Sequence, residues 1–157
     1  MSQAELLTDD EINKLLALPK IITKKERKKL RDWKESRGFR RIDISLKADS
    51  SENFSIFGRA TIDDPLDFSI GLKAVFSDGS NANLIRCNGQ HGGHKNVLEH
   101  ERFEGRCHVH QTTERYIQGG WEAEKFAAIT DTYITSDGAL EYLMKRCNID
   151  FEDIEIR

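Results

Sequence analysis

Apolar and polar residues alternate with a period of two along the middle of this chain, and that period most narrows the folds open to it. Ile42, Ile44 and Leu46 alternate with polar neighbours, and so do Phe54, Ile56, Gly58, Ala60 and Ile62. The clearest run is Phe68, Ile70, Leu72, Ala74 and Phe76, interleaved with Ser69, Gly71 and Lys73. A period of two is that of a strand with one face buried, not of a helix. A fourth run covers Asn83 to Asn88, and Asp63-Asp64-Pro65 and Ser77-Asp78-Gly79-Ser80 are turn clusters between runs. Such short connections join antiparallel neighbours, so the runs form a meander. One apolar face per strand means a sheet covered on one side only, with helices as the cover.

Helical signals flank the meander. Thr8-Asp9-Asp10-Glu11 reads as a capping box, followed by Ile12, Leu15 and Leu16 as an apolar stripe and by Pro19 as a stop. Thr23-Lys24-Lys25-Glu26 reads as a second box, opening a basic helix that ends near Gly38, with Leu30 and Trp33 as its apolar anchors. Residues 105–112 and 126–134 read as further strands. Ser136 or Asp137 caps a last helix carrying Leu140, Leu143, Met144 and Cys147 on one side. The acidic tail from Asp150 to Arg157 reads as an edge strand or a loose end. The expected fold is therefore α+β: a mainly antiparallel meander of four to six strands with two N-terminal helices and one C-terminal helix. At 157 residues the chain reads as a single domain over 1–157. Its parts are a helical N-terminal segment at 8–38, the meander with a His-rich loop at 39–135, and the closing helix at 136–148.

Composition excludes several classes. No apolar run approaches the roughly 20 residues needed to span a bilayer, and Met1-Ser2-Gln3-Ala4-Glu5 lacks the pattern of a signal peptide. The expected location is cytoplasmic, with no membrane partner. Cys87, Cys107 and Cys147 are an odd number at wide spacing and form no disulfide framework. The net charge of −3 hides an asymmetry: residues 20–41 hold eleven Lys and Arg against three acids. Lys24, Lys25, Arg27, Lys28 and Arg31 of the basic helix are candidate docking residues for RNA or for an acidic partner.

All five histidines lie between positions 91 and 110. Two motifs frame them, Asn88-Gly89-Gln90-His91-Gly92-Gly93-His94-Lys95 and Arg106-Cys107-His108-Val109-His110-Gln111-Thr112. On a strand, His108 and His110 share a face with Arg106 and Thr112, while Cys107 and Val109 take the opposite, apolar face. Parity therefore projects both histidines from a polar face rather than into the core. Gly89, Gly92 and Gly93 permit a loop whose N–H groups form an anion nest beside His91, His94 and Lys95.

Two chemistries fit. In metal-free phosphodiester cleavage, His108 and His110 act as the acid/base pair, His91 or His94 as an alternative base, and Lys95, Arg106 and Arg115 as phosphate clamps. No cofactor is then required. Alternatively, His91, His94, His108 and His110 supply ligands to zinc or another borderline metal. A non-enzymatic interaction module, docking through the basic helix, is the third reading.

From Leu84 to Cys147 the chain also resembles the TumE-type prokaryotic toxin proteins and related uncharacterised families. These carry an Asn- and His-rich loop after a meander, a nearby His-x-His and a closing helix. Asn88, His91, His94, His108 and His110 match the motif, and Asn96 to Gly105 is an insertion between its halves. The resemblance implies a toxin–antitoxin component or mobile-element protein acting on RNA, with an acidic antitoxin segment as its partner.

Overall fold

A computed structural model describes residues 1–153. In chain order the elements are α1 (Asp9–Ala17), β1 (Lys20–Ile22), α2 (Lys24–Arg27) running into a 3-10 turn at Lys28–Arg31, β2 (Lys34–Ser36), β3 (Phe39–Leu46), β4 (Asn53–Thr61), β5 (Phe68–Val75), β6 (Asn81–Asn88), β7 (Gly93–Asn96), β8 (Glu101–Glu104), β9 (His108–Gln111), α3 (Glu114–Gln118), β10 (Ala127–Ile129), α4 (Ser136–Arg146) and β11 (Ile149–Phe151). The fold is a mixed α and β one built on a seven-stranded sheet of order β10-β9-β6-β5-β4-β3-β2. Every neighbouring pair in it is antiparallel. β1 and β11 form a separate parallel pair, and β7 and β8 a separate hairpin. No helix among the described residues is long and apolar enough to cross a membrane.

The alternation places the core. Ile42, Ile44, Phe54, Ile56, Ala60, Phe68, Ile70, Leu72 and Ala74 are all buried on one face, with Ile12 and Leu16 of α1 and Ala139 and Leu143 of α4. Both end helices are capped by threonine. Thr8 forms the full capping box with Glu11, and Thr135, one residue before the expected cap, accepts the Gly138 N–H. Each fully buried Ile or Leu stabilises the fold by about 1.5–3 kcal/mol relative to exposure.

The N-terminal segment departs from expectation. The second helix does not reach Gly38: it loses α-helical form after Arg27 and ends as a 3-10 turn at Arg31. Lys34–Ser36 instead joins the sheet as β2, with Ser36 opposite Phe39. Arg37 and Gly38 make the two-residue turn between them, at φ 52° and 82°. Two positive φ values at the centre of a tight hairpin suit the twist of paired strands, and a glycine takes the second at little cost. Gly38 is thus a hairpin glycine, not a helix cap. The expected strand at 105–112 is confined to His108–Gln111, and that at 126–134 to Ala127–Ile129. The tail opens as an edge strand, β11, parallel to β1, and residues 154–157 of that expectation lie outside the described ones.

Lys20 is fully buried beneath this N-terminal segment. Its Nζ donates to Leu16 O (3.1 Å), Leu18 O (2.8 Å) and Cys147 O (2.9 Å), at the C-terminal ends of α1 and α4. The ammonium also stands 5.0 Å from the centre of the Phe54 ring. Three donors meet three carbonyls at two negative helix ends. Burial pulls the ammonium's pKa down to about 8. Lys20→Met leaves those carbonyls without donors and is expected to lower the unfolding free energy by about 2–3 kcal/mol, read from urea titration. An unchanged midpoint would show that the lysine does not tie the two helices together.

Candidate histidine centre

The His-x-His strand obeys parity. β9 pairs with β6, so that His108 faces Asn88 and His110 faces Arg86, while Val109 faces Cys87 on the core side. Cys87, Cys107 and Val109 are buried in the apolar layer. Tyr133 fixes the pair from the core side, its hydroxyl reaching the carbonyls of Asn88 (2.9 Å) and His108 (3.1 Å).

Parity fails on exposure. His108 and His110 are only 4% and 5% exposed, although they project away from the core. The β7–β8 hairpin covers them. Within it His94 pairs with Phe103 and Lys95 with Arg102, so His94 and Phe103 share one face and Lys95 takes the other. His94 and Phe103 lie down onto the strand histidines. Ring centroids are 5.8 Å apart for His94–His108, 4.8 Å for His94–His110 and 5.0 Å for His108–His110. Phe103 stands 5.1 Å from His108 and 5.4 Å from His94.

Asn96 anchors the hairpin. Its Nδ2 donates to Ala127 O (2.7 Å) and its Oδ1 accepts the Ala127 N–H (2.9 Å), so its amide pairs with β10 as a backbone unit would. The same Oδ1 receives Nε2–H of His94 at 2.7 Å. Each imidazole is held in this way. Nδ1 of His108 meets Arg106 O at 2.8 Å and Nδ1 of His110 meets Glu124 O at 2.9 Å. A ring nitrogen facing a carbonyl oxygen must carry the proton. That leaves Nδ1 of His94 and Nε2 of His108 and His110 with lone pairs. Asn88 Nδ2 stands 3.4 Å from Nε2 of His108.

Burial favours the neutral rings. Desolvation, then the Arg86 charge and the neighbouring histidines, pull the His110 pKa down to about 3. Desolvation also lowers that of His108, against a raising hydrogen bond to Arg106 O. Arg86 is the cation at the site, opposite His110 and held by Glu124 (3.1 Å). Its Nη1 lies 3.4 Å from Asn88 Oδ1, which also accepts the Ser69 hydroxyl at 2.9 Å.

Several expected partners are elsewhere. His91 is exposed and lies 3.8 Å from Asp67, outside the three-ring cluster. Lys95 is exposed on the far face of the hairpin. Arg106 pairs with Asp131 (3.2 Å), and Arg115 with Glu99 (3.0 Å). The structure thus directs these three cations away from the rings and sets Arg86 opposite His110 instead. The signal for Arg86 was its two-residue spacing from Asn88 on a strand. The glycine loop forms no nest at Gly89, whose N–H donates to Phe68 O. An added Cβ there would sit 2.0 Å from Leu66 O, so Gly89 serves close packing. Among the described residues, no group of three or more His, Cys, Asp or Glu side chains is arranged to hold a metal ion. Lys24, Lys25, Arg27, Lys28 and Arg31 are exposed, and the Arg27 guanidinium stacks 4.2 Å from the Phe151 ring centre.

No protein-family model, curated protein or solved structure matches this chain.

The buried neutral His110 has a consequence for acid stability. Its folded pKa of about 3 lies below the unfolded value of 6.5. Between those values the unfolded chain binds a proton that the folded one refuses, so stability rises with pH there and is lost on acidification. Each pH unit below 6.5 costs about 1.4 kcal/mol from this residue. His110→Gln keeps a donor for Glu124 O and is expected to flatten the fall in urea midpoint between pH 6.5 and pH 4.5. Identical pH profiles for the two proteins would contradict a buried neutral His110.

Proposed function

We propose that this protein is an RNA-directed, toxin-like ribonuclease whose cutting centre is His94, His108 and His110 beside Arg86. The carrying observation is convergence: the loop motif and the strand motif, separated by residues 96–105, bring three imidazoles within 4.8–5.8 Å of one another. In the reaction, Nε2 of His108 takes the proton of an RNA 2′-hydroxyl as that oxygen attacks the adjacent phosphorus. Protonated His94 gives its proton to the departing 5′-oxygen, leaving a 2′,3′-cyclic phosphate and a 5′-hydroxyl. Arg86 stabilises the charge on the pentacoordinate phosphate. His110, with its pKa near 3, stays neutral and does not serve as the acid. Substrate reaches the rings from the side of Asn88 and Arg86, parting the contacts that His94 and Phe103 make there. The resemblance to TumE-type toxins supports the same reading, with an acidic antitoxin segment as the partner of the exposed basic turn.

A second reading rests on the anchoring of the rings. A ring whose N–H is held by an oxygen keeps its other nitrogen for a metal, the usual arrangement around bound zinc. The same three histidines would then hold zinc after a ring turns.

One experiment separates the two. Wild type, His94→Gln and His108→Gln are expressed and scored for growth arrest, then purified and incubated with RNA with and without EDTA. Wild type is expected to arrest growth and cleave RNA in the presence of EDTA, with both variants slowed on the order of 100-fold or more. Harmless growth and intact RNA with folded wild type would overturn the nuclease reading. Activity abolished by EDTA and restored by zinc would establish the metal reading instead.

A further inference from the structure

The open face of the sheet carries a row of cations in direct register. Lys34 on β2 faces Arg41 on β3, and Arg41 faces Arg59 on β4. The row continues through Ser69 and Asn88 to His108. Like charges directly opposite one another on neighbouring strands destabilise a sheet. Among the described residues, none of the three cations is in a salt bridge with a carboxylate. Arg41 and Arg59 are instead held against the Phe39 ring, 5.5 Å and 5.2 Å from its centre, which fixes their position without neutralising them. Three cations in line without a salt bridge, two of them held by a ring, are an arrangement that an anionic chain stabilises.

The space above them fits such a chain. A groove of about 920 Å³ is lined by Lys29, Lys34, Arg41, Arg59, Ser69 and Arg86, with Asp32, Asp43 and the Arg86-bound Glu124 also on its walls. Phe57 lies on its floor beside Arg59, across Gly71, where an added Cβ would sit 2.5 Å from the ring's Cζ. An aromatic ring beside a basic track is the pairing used to hold single strands, whose bases stack while their phosphates meet cations. From β2 to β9 the row crosses five strand spacings, roughly 24 Å. The groove reaches Arg86, the residue opposite His110, so one strand bound along it brings a phosphate to that guanidinium at the edge of the histidine cluster.

We infer that the Lys34–Arg41–Arg59 row is the binding track for the backbone of single-stranded RNA, with Phe57 stacking a base. This rests on the ribonuclease reading for its choice of RNA, but its test does not require cleavage. A fluorescent 2′-O-methyl single-stranded RNA, which lacks the attacking hydroxyl, is titrated by anisotropy at several salt concentrations. Wild type is expected to bind. Arg41→Gln/Arg59→Gln is expected to bind at least tenfold more weakly, with a salt slope shallower by about 0.7 for each phosphate it no longer neutralises. Phe57→Leu is expected to weaken binding while leaving the salt slope unchanged. Lys14→Gln/Lys145→Gln, at exposed positions of α1 and α4 outside the groove, is the control that keeps wild-type affinity. Because removing facing like charges relieves repulsion, the double arginine variant is also expected to match or exceed wild-type stability without RNA.

Equal binding by wild type and the double arginine variant would overturn the inference, as would no binding by wild type or a preference for duplex RNA or an acidic peptide. Binding that needs the arginines in a protein that never cleaves RNA would sink the ribonuclease reading and leave the track standing.

Discussion

The sheet buries one face and leaves the other polar, and the position of every functional group follows from that. Because side chains alternate, a slip of one residue in any strand would carry its whole apolar set to the wrong side. The burial of Ile56, Ile70 and Leu72 therefore holds register along β4 and β5. The same register sets Arg41 opposite Arg59, Ser69 opposite Asn88 and Asn88 opposite His108. The core and the polar rows are one constraint seen from two sides. A mutation that loosens the apolar face disorders the cationic track as well, though it touches none of its residues.

One irregularity makes the rows usable. The β5–β6 register shifts between Leu72 and Lys73, so Ile85 opposes Leu72 and Asn83 opposes Lys73. Leu84 is the extra residue, and both Leu84 and Ile85 are buried. Strict alternation would put Asn83 and Arg86 on opposite faces. The bulge brings both to the groove, where both bind Glu124, at 3.0 Å and 3.1 Å. Bulges often re-aim a side chain near a functional site. The consecutive apolar pair Leu84-Ile85 is the sequence trace of this one.

Legibility followed the source of each element's stability. Strands β3 to β6 were readable because burial against a core writes a period of two. The facing of His108 and His110 was readable for the same reason. The hairpin that covers them was not. β7 and β8, Gly-His-Lys-Asn and Glu-Arg-Phe-Glu, carry almost no apolar alternation, and they are held by the Asn96 amide on Ala127 and by ring contacts. Tertiary side-chain pairing of that kind leaves no periodic trace. Parity could therefore say which way the histidines point but not what lies over them. The basic segment misled for a related reason. Thr23 does cap a helix, but Arg37-Gly38 closes a hairpin, and the apolar anchor Trp33 packs over Gly58 rather than along a helix face.

Lys20 and the two strand histidines, His108 and His110, are buried ionisable groups whose environments contrast. Lys20 meets three carbonyls with three donors, so its charge is fully partnered and its environment is closed. The imidazoles are partnered on one nitrogen each, and the Arg86 charge beside them helps keep His108 and His110 neutral. That repulsion holds only while Arg86 stands without a phosphate. A phosphate placed against the guanidinium cancels the charge that disfavours imidazolium and adds one that favours it. Protonation of His108 and His110 would then be coupled to occupation of the groove, because an anion against Arg86 raises the proton affinity of both rings. A fully partnered ammonium such as Lys20 cannot respond in this way, because none of its donors is left for a ligand.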